Sequence, residues 1–394
     1  MDPRLNPYTP NAGARPPVLV GRDDQLESFD ILLARLERGS TEQSLLITGL
    51  RGVGKTVLLN EFRAKAEARD WVAVEAEITK QTDFGTRMAQ LARRALLQVA
   101  PKARWKEIAR RAAGVVKSFT LTVASDGALT AGLDIDPVPG LADSGELADD
   151  LSDLFVALGE SARDQGTGVV YIFDEVQYLS APEFEALIAA LHRTVQRALP
   201  ITLVGAGLPQ LPRIAGEAKS YAERLFKFPV IGSLPDDDAH AALTEPARRG
   251  GAGFTGDAAD EILAFTEGYP YFIQVYGKVV WDETETNLID TRTVLAVRPI
   301  VEAMLDSGFF RVRAERTTPH ELRYLQAMAS LGPGPIRAGD VARVLGRRVE
   351  QIGPTRSRLV EKGLLYTPGY GLAAFTVPQF DRYLRRLQQA TPGV

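Results

Sequence analysis

The pattern of apolar and polar positions divides the chain into two regimes. Up to about residue 234, short apolar runs alternate with helical periodicities. Positions 45–48 read as a short buried strand, and Val57, Leu58, Leu59 and Phe62 fall on the buried side of a helix that follows. "WVAVEAEIT" (71–79) alternates as a strand does, and 84–98 repeats at the spacing of an amphipathic helix. "GVVYIF" (168–173) is continuously apolar, which suits a central parallel strand buried on both faces. A helix over 182–198 and a strand at "ITLVGAG" (201–207) come next. Strands alternating with helices predict an α/β fold, a parallel sheet with helices on both faces. Within it, "SFTLTVASDGALTAGLDID" (118–136) predicts two strands around a turn at Asp126-Gly127, a dipeptide that tolerates positive φ.

Beyond Leu234 the pattern is helical only, to about residue 310. The remainder reads as a helix (319–330), a Gly/Pro break, a short helix (339–345), a basic helix (349–362), the stretch "LLYTPGYGLAAFTV" and a last helix. Three helices and a Gly-centred hairpin predict a winged helix-turn-helix. The expected organisation is an extended, Pro-rich lead-in (1–17), an α/β domain (18–235) with the hairpin as an insertion, a helical lid (236–310) and the winged helix (311–394).

The chemistry sits where the first strand gives way to its helix. "GLRGVGKT" fits the phosphate-binding loop G-x-x-x-x-G-K-[ST] without mismatch. Gly49, Leu50, Arg51, Gly52, Val53, Gly54 and Val57 are expected at the nucleotide, in a loop whose backbone N–H groups converge on a phosphate while glycine keeps Cβ atoms out of the way. The helix N-terminus faces the same anion. Lys55 is expected on the β/γ-phosphates of ATP or ADP, and the Thr56 hydroxyl on Mg²⁺. The dinucleotide motif G-x-G-x-x-G has a different order of glycines. Binding alone is not hydrolysis, which needs a further metal ligand and a group to orient water. Where "VVYIFDEVQ" ends, Asp174 can hold Mg²⁺ and Glu175 can polarise the attacking water.

Composition narrows the alternatives. A length of 394 residues suggests two or three domains, and 45% apolar with 24% charged residues is ordinary for a globular protein. With no cysteine, disulfides, thiolate zinc sites and cysteine nucleophiles are excluded. No run reaches the roughly 18 apolar residues of a membrane helix, and the N-terminus lacks a signal layout, so a cytoplasmic protein with no membrane partner is expected. His192, His240 and His320 are scattered without metal-ligand spacing, and Asp236, Asp237 and Asp238 suit a helix start better than a metal site. The net charge of −4 is uneven: residues 311–394 carry fourteen Lys/Arg against six Asp/Glu, leaving a balance of −12 for the rest. Arg347 and Arg348 precede the basic helix, Arg356 and Arg358 lie in it and Lys362 ends it, an arrangement suited to duplex DNA with a wing at 369–371. A solvated basic face, or a dock for the acidic body, is the other reading.

With these residues in view, the chain resembles the AAA+ ATPases of the origin-recognition-like clade, which shade into the signalling ATPases called STAND, over about residues 18–310. "VLVGRDDQL" (18–26) matches the N-terminal box, which implies Val20, Gly21 and Arg22 near adenine. "TLVGAGLPQL" (202–211) stands where the family has its sensor-1 strand, but Gly205, Ala206 and Gly207 replace the polar side chain many relatives carry. "ERLFKFPVIGSL" (223–234) implies Arg224 as an arginine finger acting on a neighbouring subunit of a homo-oligomer formed on ATP binding; pairing with Glu223 or Glu217 is the alternative. "EGYPYFIQVYG" (267–277) places Pro270 at the nucleotide, in the Gly-x-Pro form of STAND proteins rather than with a sensor-2 arginine. The resemblance implies a P-loop NTPase that hydrolyses ATP slowly, acting as a nucleotide-dependent switch or loader on DNA. Two alternatives stay open: a STAND-type switch whose winged helix contacts protein, and a nucleotide-gated regulator that does not hydrolyse.

Overall fold

The computed structural model describes residues 1–81, 83–101, 106–124 and 135–390. Five strands form one parallel sheet: β1 (Ser44–Thr48), β2 (Val72–Glu77), β3 (Val169–Asp174), β4 (Ile201–Gly207) and β5 (Phe226–Lys227), in the spatial order β2-β3-β4-β1-β5. β1 and β4 are buried at every position and β3 at all but its last, as their unbroken apolar runs predict. β2, at the sheet edge, alternates. Parallel strands bring their carboxyl ends to one edge, where ligands of such sheets bind. The loops after β1 and β3 therefore emerge at the same edge, one strand (β4) apart.

Helices cover both faces, and alternate side chains of each strand enter a different core. Val170 and Ile172 join Leu45, Ile47, Leu58 and Phe62 on one face, whereas Tyr171 and Phe173 join Leu46, Phe155 and Phe184 on the other. The Phe29 and Phe62 rings lie 4.6 Å apart on the first face; Phe155 stacks on Tyr171 at 4.7 Å on the second. Truncating a fully buried leucine such as Leu58 to alanine costs about 2–5 kcal/mol in a core of this kind.

The first strand of the expected hairpin does not form among the described residues. Glu107–Val123 is one helix, so Ser118, Phe119 and their neighbours are helical; the proposed turn at Asp126-Gly127 lies outside the described residues. The reason is visible in its buried positions: Ala109, Ala112, Ala113, Val116 and Phe119 recur at helical spacing and pack into the second core. The few alternating residues at the end are the last turns of that pattern.

The helices Asp236–Arg249, Gly256–Thr266, Pro270–Glu283 and Thr291–Met304 follow, with a parallel pair β6 (Gly253–Phe254) and β7 (Leu288–Ile289). No break occurs at residue 310. Thr291–Met304 continues through a π-helical turn, Leu305–Phe310, into Arg311–Ala314. The C-terminal region then has helices Pro319–Leu331, Ala338–Val344, Val349–Glu361 and Phe380–Ala390 and an antiparallel sheet of β8 (Ile336–Arg337), β9 (Leu365–Tyr366) and β10 (Leu372–Phe375), ordered β8-β10-β9. One apolar cluster runs from Tyr8 through the first sheet face to Phe272 and on to Phe380. The N-terminal segment is part of that body: Asn6 Nδ2 donates to Lys278 O at 2.9 Å, and Tyr8 lies so close to Gly277 that a Cβ there would meet its ring at 2.4 Å. Among the described residues no helix is long and apolar enough to cross a membrane.

Candidate functional site

The loop after β1 has the backbone that its glycines permit. Gly52 and Gly54 sit at φ +87° and +93°, in the left-handed region that disfavours a Cβ. Gly49 answers a different demand, close approach: a Cβ there would lie 2.4 Å from the Ile231 carbonyl oxygen. Lys55 opens the helix Lys55–Glu67 and folds back over the loop, donating from Nζ to the carbonyls of Gly49 (3.0 Å) and Leu50 (2.8 Å). It is buried, which pushes its pKa down, while Glu175 and Asp174 pull it back up.

The end of β3 faces this loop. Thr56 Oγ1 donates to Asp174 Oδ2 at 2.5 Å, joining two residues 118 apart in sequence. Burial pushes the Asp174 pKa up, against the Thr56 hydroxyl and the Glu175 amide, which lower it. Glu175 then turns out of the strand at φ +55°, an unusual conformation for a residue with a side chain and a mark of strain kept at functional sites. That turn lets two consecutive carboxylates face the same loop, which a continued strand forbids. Glu175 accepts a hydrogen bond from Gln177 Nε2, and its Oε1 lies 3.7 Å from Arg51 Nη1. Gln177 Oε1 in turn accepts from the Leu208 amide at 3.1 Å, just after β4. Gly207 makes room for this bridge, since a Cβ there would meet Gln177 Oε1 at 2.7 Å.

Between loop and lid lies a cavity of about 420 Å³, a size ordinary for a small-molecule site. Of the residues singled out from sequence, Val20, Arg22, Arg51, Gly52, Val53, Gly54, Lys55, Thr56, Val57, Asp174, Glu175 and Pro270 line it. Gly49 and Leu50 stand behind the lining, where their carbonyls hold Lys55, and Gly21 packs against Asp238. Arg22 is a staple more than a contact: its guanidinium donates to the carbonyls of Gly21, Val53 and Gly232. The lid rests on the loop through Tyr269, whose hydroxyl donates to the Arg51 carbonyl.

A hydroxyl and a carboxylate placed so close are hard oxygen donors of the kind Mg²⁺ accepts, usually completed by phosphate and water. No cluster of three or more His, Asp or Glu suited to a metal occurs among the described residues, so a cation here would need those further oxygens. Thr56 and Asp174 thus fit magnesium held together with a nucleotide.

Other expected residues lie elsewhere. Arg224 is exposed on the short helix Ala222–Leu225, away from the cavity lining, with no ion pair among the described residues; Glu217 pairs instead with Arg213 at 2.6 Å. Arg347 and Arg348 are exposed before the helix Val349–Glu361. Arg356 Nη2 donates to the Leu372 carbonyl at 2.6 Å, and Lys362 (2.6 Å) and Arg358 (3.7 Å) both pair with the buried Glu321. Sequence reasoning passed over Gln177, the N-terminal residues from Thr9 to Leu19 that wall the cavity, and Arg313, which enters it from beyond the lid. Only "DEVQ" next to the carboxylates offered a signal, for Gln177; the other two come from chain distant in sequence.

Residues 18–204 match the family model described as the AAA ATPase domain, and residues 307–384 match that of a domain of unknown function. No curated protein matches. Among solved structures, the Walker-type ATPase PABY2304 of Pyrococcus abyssi is 16% identical, with 94% of this chain and 97% of that one covered and a TM-score of 0.55. Aeropyrum pernix ORC1 in complex with DNA is 15% identical over 95% and 96% (TM-score 0.44), and the Thermotoga maritima RuvB Holliday junction branch migration motor 16% over 94% and 95% (TM-score 0.44). The chain thus has a P-loop NTPase α/β fold, and its residues 18–204 are similar to the AAA ATPase domain.

Proposed function

We propose that the chain binds ATP or ADP with Mg²⁺ in this cavity, hydrolyses ATP slowly, and uses the nucleotide state to set its C-terminal region, read as a winged helix, on duplex DNA. The observation that carries the ATPase reading is the contact of the Thr56 hydroxyl with Asp174, beside a buried Lys55, at the mouth of one glycine-turned loop. Lys55 leaves the carbonyls of Gly49 and Leu50 for the β/γ-phosphates. Thr56 and Asp174 would hold magnesium, which neutralises phosphate charge when bound. Hydrolysis adds water across the terminal P–O bond, with Glu175 orienting the water and accepting its proton. Gln177, anchored on the Leu208 amide, keeps the Glu175 carboxylate aimed. Slowness follows from Gly205, Ala206 and Gly207, which offer no side-chain donor at the end of β4, and from Pro270, which brings no charge. Arg224, exposed and unpaired among the described residues, is assigned to a neighbouring subunit's site in a homo-oligomer.

For DNA, Arg347 and Arg348 at the start of the helix Val349–Glu361 and the fully exposed Tyr370 form the contact surface, whereas Arg356, Arg358 and Lys362 are engaged by partners within the molecule, Arg358 loosely. That internal pairing favours a second reading, in which this region contacts protein and the molecule is a signalling switch. The ATPase rate with and without duplex DNA, with molecular mass determined in both states, separates them. Stimulation by DNA with a change in mass supports the first reading; hydrolysis indifferent to DNA supports the second. No hydrolysis despite binding would make the protein a nucleotide-gated regulator.

A further inference from the structure

Among the described residues four cations line the cavity, and three of them are firmly engaged. Arg22 donates to three backbone carbonyls, Lys55 to two, and Arg51 faces Glu175 and donates to the Tyr178 hydroxyl at 3.1 Å. The fourth, Arg313, comes from the helix Arg311–Ala314 in the segment matched only by the domain of unknown function. Its guanidinium lies 4.1 Å over the ring of Phe309 and donates to the Phe309 carbonyl. Among the described residues no carboxylate pairs with it, although its neighbour Arg311 has Glu315 within 3.8 Å. A guanidinium has five donors, so most of Arg313's hydrogen-bonding capacity has no protein acceptor here.

The electrostatics agree with a group that awaits an anion. Burial pushes the Arg313 pKa down to about 10, and the nearest charges acting on it, Arg51 and Arg316, are positive and push the same way. Such crowding is unfavourable for a half-buried cation until a negative charge arrives. The residue is also held by an unusual backbone. Its helix, Arg311–Ala314, follows directly on the π-helical turn Leu305–Phe310, two residues of which, Gly308 and Phe309, line the cavity; π-turns are rare and recur at functional sites.

We propose that Arg313 binds the terminal phosphate of the nucleotide from the lid side, so that the C-terminal region responds to ATP and ADP differently. The lid's own first turn, Gly268-Tyr269-Pro270-Tyr271, brings no cation to the cavity. Arg313, Arg51 and Glu175 line the same cavity, and Arg51 Nη1 lies 3.7 Å from Glu175 Oε1, the carboxylate that the proposed function sets beside the terminal phosphate. Its helix leads straight into the C-terminal helices, which gives the contact a mechanical outlet.

This inference rests on the nucleotide reading of the cavity, and calorimetry on the full chain separates the two. Mg²⁺ with ATPγS and Mg²⁺ with ADP are titrated into wild type, Arg313→Met and Arg313→Gln. Methionine keeps the packing on Phe309 and glutamine keeps a donor to its carbonyl, so a folding defect in one leaves the other. The expected result is ATPγS binding weakened about tenfold or more, the scale of one lost charge-assisted hydrogen bond, with ADP changed by less than about threefold. If wild type binds neither nucleotide, the nucleotide reading fails. If wild type binds both and the variants bind ATPγS as tightly, or lose both nucleotides equally, the Arg313 assignment alone is overturned.

Discussion

The backbone N–H of Arg51, inside the phosphate loop, donates to the carbonyl of Thr376, just after β10, at 3.2 Å. The same residue carries two more contacts to distant chain. Its carbonyl accepts from Tyr269 of the lid, and its side chain lies between Glu175 and Gly363, where a Cβ would come within 3.0 Å of Nη2. Lid, C-terminal region and strand-end carboxylate therefore meet on one residue of the loop. A displacement of Arg51 would disturb all three contacts.

Lys55→Ala removes the cation that the loop holds ready between two of its own carbonyls. Nucleotide binding is expected to vanish in calorimetry while the melting temperature stays close to wild type, since the truncated amino group supports no distant contact. Unchanged affinity would mean that the cavity does not take phosphates.

Glu175→Gln is expected to retain nucleotide binding and slow turnover by about 10²-fold or more, the scale of a lost general base. Gln177→Leu tests the support of that carboxylate: kcat falls with KM nearly unchanged, because the Glu175 hydrogen bond and the Leu208 anchor are lost while the phosphate loop is intact. Wild-type rates in both variants would reduce Glu175 to a turn residue.

Arg224 is read best by mixing. Arg224→Ala and Lys55→Ala proteins, each inactive alone, are expected to regain part of the activity when combined, because an intact phosphate loop from one meets an intact arginine from the other. Full activity of Arg224→Ala by itself removes the residue from the mechanism.

Glu321 offers a pH-dependent prediction. Burial raises its pKa, but hydrogen bonds from Lys362 and the Thr318 amide outweigh this, and the net shift is downward. A lowered folded-state pKa gives stability that is present above the ordinary value for glutamate, about 4.3, and lost as pH falls through the folded-state value. Urea melts of Glu321→Gln should lack that acid-side loss and show a destabilisation of about 1–3 kcal/mol at neutral pH. The same variant releases Lys362 and Arg358, so if the basic helix binds DNA, the salt dependence of affinity should steepen by about 0.9 for each phosphate newly contacted. No binding to duplex DNA by either protein would favour the protein-contact reading.

What the sequence determined by itself is what depends on neighbours in the chain. The order Gly49, Gly52, Gly54, Lys55, Thr56 states its own backbone demand at Gly52 and Gly54, where positive φ is a property of the residue, whereas the close approach at Gly49 is to the distant Ile231 carbonyl. Continuous apolar runs identified β1, β3 and β4 because a strand buried on both faces needs no polar side, and Asp174 was legible as the point where burial ends. Tertiary structure decided the rest. Ser118 to Val123 alternate like a strand, yet they close a helix because Ala109, Ala112 and Val116 before them bury one helical face against its neighbours. Arg358 and Lys362 look like free cations, yet Glu321, some forty residues earlier, claims both. Arg313 and the Thr9 to Leu19 segment reach the cavity from opposite ends of the chain. Ion pairs and cavity walls are made between segments that meet only after folding, and no local periodicity encodes which segments those are.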